Sequence, residues 1–274
     1  MPILEAAPAK LNLALHVTGR RADGYHLLDS LVAFAGLGDM VVLEPGPLSL
    51  RIEGPFAAGL PVSDDNLCLR AARLAGAAAA IRLTKNLPVA SGIGGGSADA
   101  AAVLRGLVRM GHALPTGTER LGADVPVCLA SSPARMQGVG EIVTPLDPLP
   151  QVSLVLVNPG VAVSTPQVFA AMARRNNPGL PPIPRFAGLA DLAGWLAQTR
   201  NDLEPAALSV APVIGQVLDA LRATGAAFVR MSGSGATCFG FYDSANRAEI
   251  AASALKQHGW WAAATELAPP LTPR

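Results

Sequence analysis

LPVASGIGGGS (87–97) runs directly into ADAAAVLRGLVRM (98–110), and the join between them organises the chain. The second segment carries Ala101, Leu104 and Val108, with Ala100 and Leu107 beside them, at helical spacing, so a helix is expected to begin near the glycines. IRLTKN (81–86), just upstream, reads as a strand. A glycine turn between strand and helix lets backbone N–H groups face a ligand, and the helix N-terminus adds partial positive charge. Such a turn is either a phosphate site or a tight connection and nothing more. It is not a lysine-bearing phosphate loop, because no G-K-[ST] follows. Nor is it the dinucleotide fingerprint, because Ser97 stands where G-x-G-x-x-G needs its last glycine.

Outward from the join, KLNLALHV (10–17) alternates as a half-buried strand. LVAFAGLGDMVVLEP (31–45) and LSLRIEG (48–54) read as two or three more strands. Ser63-Asp64-Asp65 offers N-cap oxygens for a helix over about 66–79, and GADVPVCL (122–129) reads as a loop running into a short element. TPLDPLPQ (144–151) is a proline-rich boundary, giving domains 1–149 and 150–274. In the second half VSLVLVNP (152–159) starts a strand, 166–174 a helix, and NNPGLPPIPRF (176–186) a surface loop. APVIGQVLDALRATG (211–225) is an amphipathic helix ending at Gly225. AAFVRMSGSGATCFGFYD (226–243) reads strand, glycine turn, strand; a helix over 245–258 and a strand over 260–267 close the chain. The fold class is therefore α/β plus α+β.

The 274 residues are half hydrophobic and 15% charged, enough to bury a core and too apolar for disorder. Net charge is +1 with no block of one sign, which argues against nucleic acid as a partner. Cys68, Cys128 and Cys238 are far apart and odd in number, reading as buried free thiols in a reducing cytosol. The N-terminus lacks a signal-peptide pattern, and every apolar run is broken before the roughly 18 residues a spanning helix needs. A cytoplasmic location with no membrane partner is expected.

Two further segments change the weight of the glycine turn: Pro8-Ala9-Lys10-Leu11-Asn12 and Ser232-Gly233-Ser234-Gly235-Ala236. The three together, in this order and spacing, resemble the three signature motifs of the GHMP kinases over nearly the whole chain. The resemblance implies an N-terminal nucleotide-binding α/β domain and a C-terminal ferredoxin-like α+β domain. It also implies a middle motif that wraps the ATP phosphates. PAKLNLALHVTGRRADGYHLLDSL (8–31), LGADVPV (121–127), GVGE (138–141) and NPGVAVSTPQVF (158–169) resemble more narrowly one branch of that superfamily. This branch phosphorylates the 2-hydroxyl of a cytidine-diphosphate-linked methylerythritol in the non-mevalonate isoprenoid route. DGYH is its specific string.

Phosphoryl transfer needs positioning, charge neutralisation and a destination for the hydroxyl proton. Asp124, in an apolar stretch, could be the base or merely a cap. Lys10 could be an ordinary solvated side chain; by resemblance it faces Asp124 and orients the hydroxyl or the γ-phosphate. Asn12 projects from the same strand face as Lys10 and could help orient substrate. The resemblance implies ATP contacts at Pro88, Ala90, Ser91, Gly92, Ile93, Gly94, Gly95, Gly96 and Ser97, with Asp65, Asn66 and Lys85 toward the adenosine side. It implies that Tyr25 and Phe169 sandwich the cytosine ring, that His26 bonds the base edge, and that Thr165, Gly233 and Ser234 line the substrate pocket. Phe169 could instead be core, the less favoured reading. Mg²⁺ is expected with ATP, but Ala98 stands where relatives commonly carry a second Ser, leaving the metal ligands unassigned. Asp99 is expected to serve the helix dipole. Oligomeric state is expected to be monomer or weak homodimer. The rivals are a GHMP kinase acting on homoserine or a mevalonate derivative, and a nucleotide sensor that has lost catalysis.

Overall fold

The computed structural model describes residues 1–89 and 91–271. In chain order the elements are β1 (Ile3–Arg20), β2 (His26–Pro45), β3 (Ser49–Glu53), α1 (Leu67–Leu74), β4 (Ala79–Thr84) and α2 (Gly95–Arg109). A 3₁₀ turn (Thr118–Arg120), α3 (Val125–Ala130), β5 (Ala134–Gly138) and β6 (Ile142–Pro145) complete the first half. The second half holds β7 (Ser153–Asn158), α4 (Thr165–Ala171), α5 (Leu189–Ala197), α6 (Glu204–Val210) and α7 (Val213–Ala223). It closes with β8 (Phe228–Met231), β9 (Cys238–Tyr242), α8 (Ala245–Lys256) and β10 (Trp261–Glu266).

The first sheet has six strands in the order β3-β4-β2-β5-β6, with β1 paired antiparallel along β2; only β3–β4 is parallel. The β1–β2 ladder runs from Ile3↔Leu43 to Arg20↔His26. The second sheet, β10-β7-β9-β8, is antiparallel throughout.

Three apolar cores hold these layers. Val32, Phe34, Leu43, Leu83, Leu104 and Leu107 pack α1, α2 and α3 against the first sheet. Val157, Ile214, Val217, Leu221 and Leu255 pack α7 and α8 against the second. Leu11, Leu13 and Leu31 meet Leu156, Phe239, Phe241 and Trp195 where the two sheets face each other. Each such side chain, fully buried, contributes about 1.5–3 kcal/mol.

Backbone bonds also join the halves: Leu15 N–H donates to Arg200 O at 2.8 Å and Asp202 N–H to Leu15 O at 2.8 Å. Buried Arg230 adds a strut, donating to Leu13 O at 2.8 Å and to Leu196 O at 3.0 Å. Among the described residues no single helix is long and apolar enough to cross a membrane.

Several sequence expectations shift. KLNLALHV is buried on both faces rather than half-buried, because α2 covers one side and the second half of the chain the other. Its polar residues are therefore interior groups with partners. The strands expected over 31–45 are one continuous strand, β2. The helix expected over 66–79 ends at Leu74, and its cap is Asn66, whose Oδ1 accepts from Cys68 N–H at 2.9 Å, not the Ser63–Asp65 run. The helix expected over 211–225 starts at Val213, behind a break at Ala211–Pro212 that leaves α6 separate. β5, β6, α5 and α6 had no sequence expectation; each is short, and none but α5 reaches two full turns or six residues with a clear period.

Candidate active site

A cleft of about 1260 Å³ lies between the two halves. Its floor is built on β1. Because β1 side chains alternate, Leu11 and Leu13 go to the sheet–sheet core while Lys10 and Asn12 line the cleft. Lys10 Nζ lies 3.0 Å from Asp124 Oδ2 and donates to Asn12 Oδ1 at 2.8 Å. Asn12 Nδ2 donates to Ser30 Oγ at 2.8 Å, and Ser30 to Ala14 O at 2.7 Å, so the amide cannot turn freely. Lys10 is 4% exposed and the Asp124 side chain 29%, which leaves the carboxylate as the floor group open to a ligand. Asp124 occupies the N-cap position of α3 but makes no capping bond, so the cap reading fails.

The glycine loop and the third motif lie back to back beside this floor. Ser232 Oγ accepts from Asn12 N–H at 3.1 Å and donates to Gly92 O at 3.1 Å, while Thr237 N–H donates to Ser91 O at 3.0 Å. Gly92 has φ +74° and a Cβ there would lie 2.7 Å from Ser232 O. Gly94 has φ +64° and a Cβ there would lie 3.1 Å from Lys10 Cε. Both positions need glycine twice over, for the left-handed backbone and for the close approach. Gly94 caps α2 without any side-chain bond, so the first-turn N–H groups of this 15-residue helix have no capping side chain.

Gly94, Gly95, Gly96, Ser97, Pro88, Ser91 and Gly92 all line the cleft. Ile93 does not: its side chain is fully buried in the core, and its carbonyl accepts from Lys10 N–H at 2.9 Å. Ala90 lies outside the described residues.

On the nucleotide side Asn66 and Lys85 line the cleft, whereas Asp65 is exposed and outside it. Lys85 is not a free cation. Its ammonium is buried between Asp39 and Asp99, 2.8 Å from Asp99 Oδ2. Asp39 also accepts from Leu87 N–H at 2.8 Å. Asp99 sits one turn into α2, not at its end, and is 3% exposed, so it does not serve the helix dipole as its sequence position suggested. Its Oδ1 is buried without a partner. Burial pushes the Asp99 carboxyl up to about 7, with the Lys85 charge pulling against it.

At the other end of the cleft the expected aromatic pair is rearranged. Phe169 stacks on His26, centroids 4.5 Å apart and 19° between planes. Tyr25 is 65% exposed on the rim and does not meet Phe169. The sandwich is therefore not preformed, since the imidazole lies on one face of the phenyl ring. His26 Nε2 is buried without a partner, and burial and then the charges of Arg20 and Arg175 push its pKa down, favouring the neutral ring. Thr165 and Ser234 both line the cleft, their hydroxyls 2.7 Å apart, and Gly233 packs on Gly92 O.

Sequence reading missed Ser232, Asp39, Ser30, Arg20 and Arg175. Ser232 had a signal, standing first in S-G-S-G; Asp39 and Ser30 are brought in by strand β2, Arg20 from the end of β1 opposite His26, and Arg175 from just past α4, and none of these placements has a local mark.

The model described as GHMP kinases N terminal domain matches residues 66–131, and that described as GHMP kinases C terminal matches 180–259. A 4-diphosphocytidyl-2-C-methyl-D-erythritol kinase of Paracoccus denitrificans is 62% identical, over 97% of this chain and 97% of its own. One of Ruegeria pomeroyi is 55% identical, over 96% and 98%. Among solved structures, a 4-(cytidine 5'-diphospho)-2C-methyl-D-erythritol kinase superposes with a TM-score of 0.78 at 36% identity, over 97% of this chain and 99% of that one. A homoserine kinase from Cytophaga hutchinsonii, over 99% of this chain and 96% of its own, gives 0.66 at 18% identity, a likeness of fold alone.

Proposed function

Since the chain belongs to the GHMP kinases and, within them, to the 4-diphosphocytidyl-2-C-methyl-D-erythritol kinase family, we propose that it moves the γ-phosphoryl group of ATP onto the 2-hydroxyl of that substrate, giving the 2-phosphate and ADP. This is a step of the non-mevalonate isoprenoid route, and we place it in the cytoplasm. The observation that carries the reading is the Lys10–Asp124 pair at 3.0 Å on the cleft floor, between a phosphate-binding helix start and a base-sized aromatic end.

Asp124 takes the hydroxyl proton as the oxygen attacks phosphorus. Lys10, held by Asn12 and Asp124 at once, fixes that carboxylate and meets the negative charge that builds on the transferring group. The α2 first turn holds the phosphates through backbone N–H groups. His26, with a free Nε2, bonds the cytosine edge, and Phe169 and Tyr25 close on the ring as the base enters. Magnesium would enter with ATP, held by its phosphate oxygens, and no side chain of this chain is assigned to it. The domain boundary falls at 149/150, before β7, and the enzyme works as a monomer or weak homodimer.

A coupled ADP-release assay tests the reading. Turnover with the cytidine-diphosphate methylerythritol and none with homoserine or mevalonate is expected. ADP release that ignores the added alcohol would overturn the substrate assignment.

A further inference from the structure

Lys85, Asp39 and Asp99 form a closed ionic cluster directly behind the glycine loop. All three side chains are 5% exposed or less, and two carboxylates share one ammonium. With both acids ionised the cluster carries one net negative charge. It lies against the phosphate site: a Cβ at Gly95, the first residue of α2, would be 3.1 Å from Lys85 Nζ and 3.7 Å from Asp39 Oδ2. The buried charge and the phosphates of a bound nucleotide would therefore face each other across one turn of backbone, with little water to screen them. A proton on the cluster removes that repulsion.

The two carboxylates are not equivalent recipients. Asp39 is held by Lys85 and by the backbone N–H groups of Asn86 and Leu87. Asp99 has Lys85 as its one cationic partner and faces the Asp39 carboxyl, which also raises it, and its Oδ1 has no hydrogen-bond partner. We propose that Asp99 is a positioning residue for the nucleotide phosphates, acting through Lys85 and the first turn of α2, and that it takes up a proton when the polyphosphate docks. The inference rests on the nucleotide reading of the loop. No bond other than the new O–H forms; the proton comes from solvent, and the cluster goes from net negative to neutral.

Other charged groups do not supply this proton's place. Cys68 from α1 and Cys128 from α3 face the cluster, but burial pushes both thiols up, so they stay neutral. Lys10 and Asp124 lie on the Gly94 side of the loop and bind each other. Arg105, farther along α2, is bound to Glu5. Burial raises the Asp99 carboxyl toward neutrality, so a polyphosphate charge facing it raises it further and draws a proton onto it.

The test is calorimetric titration of the full chain with Mg-ADP, slightly above neutral pH, in two buffers of unlike ionisation enthalpy. A binding enthalpy that changes with the buffer in the sense of proton uptake is expected for the wild type. The change should vanish in Asp99→Asn and return in Asp99→Glu. In steady state the KM for ATP should rise with pH above neutrality by at most about ten-fold per unit, and Asp99→Asn should flatten that rise. Buffer-independent binding by the wild type overturns the proposal without any variant, and so does equal uptake in Asp99→Asn. Absence of nucleotide binding would instead remove the loop from the site.

Discussion

The two ends of the cleft are built on opposite plans. At the floor every polar group already has a partner: Lys10 with Asn12 and Asp124, Asn12 with Ser30, Ser30 with the backbone. At the mouth the groups are unsatisfied: His26 Nε2 and Arg175 Nε are buried without partners, and Tyr25 stands in solvent. Electrostatic catalysis works best when the groups are fixed before the reaction, so that none must reorient in the transition state. Recognition of a large substrate can instead leave groups waiting for the ligand to satisfy them. The floor is thus a finished device, and the mouth is completed by what binds there.

If that contrast holds, damage to the floor should fall on kcat and damage to the mouth on KM. Asp124→Asn keeps the shape but cannot take a proton, and should lower kcat by about 10²–10⁴-fold with substrate affinity little changed. Lys10→Ala should be comparably severe. Near-wild-type turnover in Asp124→Asn would mean that Lys10 organises the transition state alone and the proton leaves late.

Gly94→Val tests the wall between floor and loop. The left-handed backbone alone disfavours it by about 1–2 kcal/mol, and the new Cβ presses on Lys10. A rise in ATP KM of at least about 5–30-fold is expected, with kcat also reduced because Lys10 is displaced. Gly95, by contrast, is a helical residue whose φ is not in the left-handed region, so its substitution would meet Lys85 rather than backbone strain.

At the mouth, Phe169→Ala should weaken substrate binding by about 1–3 kcal/mol, the scale of one base–aromatic stack, leaving ATP KM unchanged. Tyr25→Ala should be milder, because Tyr25 must be drawn in from solvent before it can stack. Equal substrate KM in both variants and the wild type would place the base elsewhere.

The smallest effect concerns stability. His16 is buried, with Nε2 accepting from Arg200 N–H at 3.0 Å and Nδ1 2.9 Å from Pro178 O. Burial lowers its pKa, so the unfolded chain takes a proton that the folded one resists. Its contribution is complete above the ordinary imidazole value of 6.5 and is lost as pH falls below it. Thermal unfolding followed from neutral to mildly acid pH should show this loss, and His16→Gln should reduce its slope.

Much of the site was legible because its residues sit in short motifs whose spacing is local. Lys10 and Asn12 share a strand face, and the glycine run announces a helix start. The ionic partners were not legible. Asp39 reaches Lys85 only because β2 pairs with β4, and Arg175 reaches the mouth from just past α4, where its guanidinium donates to Ala170 O at 3.0 Å. That the Tyr25–Phe169 sandwich is not preformed has a related reason. Residue type alone cannot say which of two neighbouring rings turns inward, and here it is His26. In the fold, the closing helix and strand were read well and β1 was found as a strand but short and half-buried rather than Ile3–Arg20 and buried, while the short β5, β6 and α6 left no periodicity to read.

The central claim, that Lys10 and Asp124 act as one catalytic unit, is tested most directly by single-turnover rates of Lys10→Ala, Asp124→Asn and the double variant at saturating substrates. A unit loses its function once, so the double variant should be little slower than the slower single. A double-variant loss equal to the product of the two single losses would contradict it and make the 3.0 Å pair two independent contributors.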